Sequence, residues 1–354
     1  MNNMTDYLIV GGGIAGLCFV DFCLKHNKSF AIIDNRIRTS SKVAGGMFNP
    51  VVLKRFTSIW KSDEQLALAI PFYKNIESDL DTKFLYEIPI YRKFASVEEQ
   101  NNWFHSCDQL SLSHFLNDKI YNEKINHINS SFGFGEVYQT GFLDVNHFVT
   151  SYQNFLSNSN LLSFETFHYN EIEFENEYVI YNGNSYKNII FAEGFSMLNN
   201  PFFNNLPLDG TKGELLIVRI PDLNLNKIVK SGIFIIPFKN DLYKVGATYD
   251  WEDKSDNPTN EAKIELLEGL RDLIDCDFEV IEHLAGIRPT VKDRRPLIGT
   301  HYKYKQLHLL NGLGTRGVLL GPYLSDLLFS KIEFEISLDQ NVDINRYYKK
   351  MQLM

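Results

Sequence analysis

Residues 6–17 read Asp6-Tyr7-Leu8-Ile9-Val10-Gly11-Gly12-Gly13-Ile14-Ala15-Gly16-Leu17, and this stretch decides the fold. The apolar run Tyr7–Val10 reads as a buried parallel strand, and Ile14–Leu24 reads as a helix. Gly11, Gly13 and Gly16 between them match G-x-G-x-x-G. That spacing gives a tight turn at Gly11, bare backbone for a pyrophosphate at Gly13 and close helix–strand packing at Gly16. The helix start, at Ile14 and Ala15, offers N–H groups and the positive end of a dipole to the phosphates.

The next strand agrees with this reading. Ser29–Ile33 is apolar and ends in Asp34, followed by Asn35. An acid about 20 residues after the glycines accepts hydrogen bonds from ribose hydroxyls and disfavours a 2′-phosphate. Strand, glycines, helix, strand and acid in that order predict a parallel α/β domain that binds a dinucleotide. On these residues alone the dinucleotide is first taken as NAD.

The 354 residues suffice for about two domains. The net charge of −9 excludes general nucleic-acid binding but leaves room for a local basic patch. Four scattered cysteines without a C-x-x-C suit a reducing compartment, and the chain is expected to be cytoplasmic. No apolar run reaches the ~20 residues of a membrane span. The run Tyr7–Val20 lacks the basic start of a signal peptide. The histidines show no metal-ligand spacing, so no metal is expected.

Along the chain, Asn35–Ser41 is a polar loop. Ser41 to Pro50, with Gly45, Gly46 and Met47, is small and glycine-rich and suits a backbone close to a flat ligand. Ser62–Leu80 has helical spacing broken by Pro71, and Phe84–Phe94 and Glu136–Phe142 read as strands. Asp144 is placed to cap a helix from Val145 to about Leu156. A meander over 171–191 leads to Ala192-Glu193-Gly194, a second close backbone approach to the dinucleotide. Glu214–Ile220, Ile233–Phe238, Leu242–Tyr249 and Phe278–Pro289 are further strands, with an amphipathic helix over Pro258–Ile274. The last strand, Leu307–Leu310, runs into Gly312, Gly314, Thr315, Arg316 and Gly317, then into a helix with Pro322 in its first turn.

Taken together, Gly11–Gly16 with Asp34, Ser41–Pro50, Gly286–Pro289 through Arg295–Gly299, and Gly312–Gly317 resemble the D-amino-acid-oxidase-like family of FAD flavoproteins. Gly312–Gly317 and Val245–Asp250 look most like two of its subgroups. These are glycine oxidase and the oxidase domain of the bifunctional enzyme that matures 5-carboxymethylaminomethyl-uridine in tRNA. With Gly11 so near the start, that enzyme's methyltransferase domain is expected to be absent. The resemblance implies non-covalently bound FAD rather than NAD. It implies a Rossmann-type FAD domain (1–80, 143–212, 286–354) interleaved with an α+β substrate domain (81–142, 213–285) on a mostly antiparallel sheet.

The implied reaction is oxidation of the C–N bond of a small amine or amino acid, with hydride transfer to flavin N5 and an imine product. The implied acceptor is oxygen or a quinone. Arg288, at the end of an apolar strand, is expected to take the substrate carboxylate in a bidentate fork. Tyr249 is expected to wall the pocket with Phe234, and Tyr243 shares its side by strand parity. Two other readings stand beside this one. One is a tRNA-modifying oxidase, for which Lys292, Arg294, Arg295, Lys303 and Lys305 form a basic cluster. The other is a flavin-binding subunit without its own catalysis.

Overall fold

The computed structural model describes residues 4–36, 40–122 and 124–353. Part of the loop Asn35–Ser41, at 37–39, lies outside them. The first sheet is built as the opening stretch requires. Its parallel core runs Leu162–Ser163, Phe30–Ile33, Thr5–Val10, Asn184–Phe191, Leu307–Asn311, with Leu8 paired to Ala31 on one side and Ile189 on the other. Leu297–Thr300 returns antiparallel on the last strand. Tyr7, Leu8 and Ile9 are fully buried, because helices and loops cover both faces of a parallel sheet.

The helices Ile14–Lys25 and Gly317–Phe334 pack on one another, with Phe19 and Phe329 in ring contact at 5.9 Å. The proline of the last helix falls later than expected, in its second turn. The carbonyl it leaves without its helical donor, on Val318, accepts from the Tyr73 hydroxyl at 2.9 Å. Pro71 does not break its helix either. Ser62–Leu80 is continuous, and the buried face Leu66, Ala69, Phe72, Tyr73 and Ile76 runs past the proline. Packing of that face outweighs the ~3 kcal/mol that an interior proline costs.

The second sheet has eight strands, mostly antiparallel, in the order Glu279–Arg288, Thr211–Arg219, Leu242–Gly246, Phe234–Lys239, Ile228–Lys230, Ile90–Lys93, Phe134–Val137, Leu116–Tyr121. Its strands come from 90–137 and 211–288, so two of them extend a few residues outside 213–285. One face carries Tyr243, Val245, Ile235 and Leu216 against the helix Asn260–Leu273. The opposite face carries Phe234, Ile236 and Ile228 into the core shared with the first helix.

Two predicted strands are split between sheets. Phe84–Phe94 gives Leu85–Glu87 and Ile90–Lys93, and Glu136–Phe142 gives Phe134–Val137 and Gly141–Leu143. The left-handed residue Gln139 (φ 54) turns the chain between the latter two. Leu85–Glu87, Gly141–Leu143 and Met47–Phe48 form a small third sheet that fixes the segment around Gly46.

Candidate active site

Three glycine-bearing loops leave the C-terminal ends of adjacent parallel strands, where open α/β sheets bind their ligands. Gly11 (φ 108) approaches the Ala192 carbonyl so closely that a Cβ would lie 2.4 Å from its oxygen. Gly16 is also confined, since a Cβ there would lie 1.9 Å from the Gly11 oxygen. Asp34 shapes the first loop: its carboxylate accepts from the Gly12 N–H at 2.6 Å and the Arg36 N–H at 2.8 Å. Asn311 ties the second loop to the third, donating to the Gly194 carbonyl at 2.8 Å.

These loops and the second sheet enclose a cavity of about 780 Å³. Its walls include Gly11, Gly13, Ile14, Ala15, Asp34 and Asn35 from the first loop and second strand. The segment 41–47 adds Ser41, Gly45, Gly46 and Met47. Ala192, Gly194, Gly314, Thr315, Arg316 and Gly317 complete the sheet-end wall. Arg288 and Phe234 line it from the second sheet, and Tyr249 from the segment that follows Leu242–Gly246. The residues brought together suit FAD. Gly13 precedes the first helix and Arg316 the last, and neither bonds the helix start with its own side chain; the Ile14 N–H donates to Ser41 Oγ at 3.3 Å, and amide donors remain at two places on one cavity. A side chain built at Gly194 meets nothing within 4 Å, so that loop presents bare backbone.

Three expected site residues lie elsewhere. Gly16 serves helix–strand packing. Gly312 (φ 76) is buried where a Cβ would meet Val291 at 2.7 Å, and shapes its loop from behind. Tyr243 is the substantive correction. It is buried on the outer face of the second sheet, its hydroxyl accepting from the Leu225 N–H at 3.1 Å. Strand parity does not carry from Tyr243 to Tyr249, because the regular strand ends at Gly246, opposite Leu215, and the pairing resumes one residue out of step at Asp250, opposite Lys212.

Arg288 crosses the Gly213 backbone, where a Cβ would sit 1.9 Å from its Nη2. Its Nη1 donates to the carbonyls of Lys212 and Thr248, each at 3.2 Å. The Tyr249 ring lies 4.5 Å from the guanidinium. Among the described residues no carboxylate is within ion-pair distance of Arg288; Asp293 is taken by Arg346 at 3.2 Å. Burial pushes the Arg288 pKa down, yet a guanidinium remains charged. A desolvated, unpaired cation at a cavity wall is a site for an anion.

A buried network stands behind it. The Lys212 ammonium, fully buried, bonds to Asp253 and lies 3.4 Å from Glu214, while Glu214 accepts from Thr259 at the start of the helix Asn260–Leu273. Two cavity side chains escaped the sequence reading. Burial raises the Glu193 carboxyl to about 7, against hydrogen bonds from Tyr169 and Asn200 that favour its charge. Burial also lowers the Lys230 ammonium to about 8, with neighbouring Arg92 adding to the effect. In the sequence, Glu193 signals only a backbone contact within Ala192-Glu193-Gly194, and the three-residue strand holding Lys230 carries no periodic signal.

The chain belongs to the family of FAD-dependent oxidoreductases of the D-amino-acid-oxidase type, whose model matches residues 6–330. It is 24% identical to the glycine oxidase of Bacillus subtilis (strain 168) over 364 residues, covering 94% of this chain and 95% of that one. A shorter match, 28% over 133 residues, joins 37% of it to 21% of the bifunctional protein of tRNA 5-methylaminomethyl-2-thiouridine biosynthesis from Campylobacter jejuni. The crystal structure of glycine oxidase from Geobacillus kaustophilus superposes with a TM-score of 0.79 at 19% identity, covering 96% of each chain. The L-proline dehydrogenase of P. horikoshii reaches 0.78 at 14% identity, covering 99% of each. The cofactor of this family is FAD, which corrects the first reading of NAD.

Proposed function

We propose that the chain oxidises the C–N bond of a small amine that carries a carboxylate, an amino acid or an N-substituted glycine, to the imine. The observation that carries this is Arg288: a desolvated guanidinium without an acidic partner among the described residues, lining the cavity beneath Tyr249. FAD, when bound, supplies the hydride acceptor. The chain's residues supply orientation. Arg288 holds the carboxylate in two parallel hydrogen bonds, which fixes the direction of the Cα–H. The Lys212 and Thr248 carbonyls hold Arg288, and the Tyr249 ring lies against the guanidinium. The acceptor of the electrons is oxygen or a quinone.

Anaerobic bleaching of the flavin absorbance by glycine, sarcosine, D-amino acids, proline and modified-uridine tRNA tests the reading. Bleaching by an amino acid in the wild type, and its loss with retained FAD in Arg288→Ala, is the expected result. An Arg288→Ala protein that bleaches as fast as wild type at low substrate concentration refutes the carboxylate assignment. One feature favours a second reading, a glycine-like side chain on tRNA. Arg294 lies 5.4 Å from the Trp251 ring and Arg295 lies 5.8 Å from the Trp60 ring, and both add to the charge felt by Arg316 at the cavity. Bleaching by the tRNA alone decides for it.

A further inference from the structure

Lys230 ends the strand Ile228–Lys230 and pairs with Phe234 on one side and Arg92 on the other. Paired residues of neighbouring strands share a face, so Lys230 lies on the face of Phe234 and lines the cavity. Its ammonium donates to the carbonyls of Ser231 and Gly232, at 3.1 and 3.0 Å. Among the described residues it has no carboxylate within 4.0 Å. The contrast with the two buried lysines is direct. Lys212 bonds to Asp253 and neighbours Glu214, and Lys244 lies 3.9 Å from Asp144. The adjacent Arg92 is neutralised by Glu99, yet it shares the Ser231 carbonyl with Lys230 at 2.9 Å. Lys230 is therefore a partly buried cation held by carbonyls alone, an arrangement in which an anion supplies the missing counter-charge.

This position is remote from Arg288. Four strand spacings of about 4.8 Å separate the two strands, so their backbones stand roughly 20 Å apart. One carboxylate does not engage both. Lys54 lines the same cavity and also the groove along the helix Val97–Cys107, which adds a second cation on the way out. We infer that Lys230 anchors a second anionic group, so that the substrate is an amino acid or N-substituted glycine with a carboxylate or phosphate at its far end. This rests on the reading of Arg288 given above.

The test uses FAD-loaded protein and reads ligand binding from the shift in flavin absorbance, without turnover. Propionate, the diacids from succinate to suberate, and 3-phosphonopropionate are titrated into wild type, Lys230→Met, Lys230→Arg and Arg288→Ala. In the wild type a diacid of matching length binds about tenfold or more tighter than propionate, the scale of one charge-assisted contact. Lys230→Met abolishes that advantage and leaves propionate unchanged, and Lys230→Arg keeps it. The diacids and the phosphonate separate the two anion chemistries. The inference is overturned if wild type shows no preference, if Lys230→Met weakens propionate and diacid equally, or if it loses FAD. Failure of the underlying reading looks different: Arg288→Ala then leaves propionate binding intact while the Lys230-dependent advantage persists.

Discussion

Substituting Gly213 by alanine isolates the placement of Arg288 from its charge. Gly213 lies in the strand Thr211–Arg219 and has no left-handed φ, so alanine brings no backbone strain. Its Cβ, however, would stand 1.9 Å from Nη2, 2.0 Å from Cζ and 2.2 Å from Nη1 of Arg288, where ordinary contact begins at 3.4 Å. The guanidinium plane must retreat by about 1.5 Å to restore van der Waals contact. That motion takes Nη1 off the Lys212 and Thr248 carbonyls, both already at 3.2 Å. A misplacement of ~1 Å costs on the order of 100-fold in rate, or roughly 2.7 kcal/mol of transition-state stabilisation. The expected result is a loss of about 100-fold in kcat/KM for flavin reduction by the preferred amino acid, with FAD content unchanged. Stopped-flow reduction under anaerobic conditions measures it. A Gly213→Ala protein within threefold or so of wild type refutes the claim that Arg288 must lie on this backbone.

Two further outcomes are expected. Asp34→Ala weakens FAD binding by roughly 1.5–3 kcal/mol for each charge-assisted hydrogen bond lost, with little change in the reduction rate of the flavin that remains bound. Dissociation constants of flavin released by acid check it, and colour retained in the acid pellet contradicts non-covalent binding. Glu193 ionises near its ordinary 4.5 in the unfolded chain and near 7 in the fold, so the unfolded chain sheds its proton first. Stability therefore falls as pH rises from about 4.5 to about 7, by up to about 3 kcal/mol. Glu193→Gln removes that slope, which melting temperatures between pH 5 and 8 show; parallel curves for the two proteins exclude the effect.

What could be read in the sequence follows how local each signal is. The loop at Gly11–Gly16 is written by steric rules acting within a few residues, so its strand, turn and helix were legible together. Asp34 was legible because its distance from the glycines is fixed by one helix and one strand. Tyr243 was misplaced because parity is local to a strand, and the end of that strand at Gly246 is set by its neighbours. Lys230 left no trace because Ile228–Lys230 exists only by pairing with Ile90–Arg92 and Val229–Lys230 with Phe234–Ile235, segments distant in the chain or too short to show a period. The proline of the last helix is accommodated by Tyr73, 245 residues before the carbonyl it bonds, which no window along the chain reveals.

The order of the first sheet bears on how the protein comes into being on the ribosome. Its central strands are Thr5–Val10, Asn184–Phe191 and Leu307–Asn311, and the helix Gly317–Phe334 closes over the first helix. The first strand waits for nearly two hundred residues before its neighbour on one side is made, and the last wall of the cofactor cavity follows only after some three hundred residues. No amino-terminal fragment can hold FAD in the completed site. Loading the cofactor then waits for the segment around Gly317, and a chain stalled or clipped before it exposes the apolar flank of Ile14–Lys25 to chaperones and proteases. Bound FAD stabilises only the finished fold.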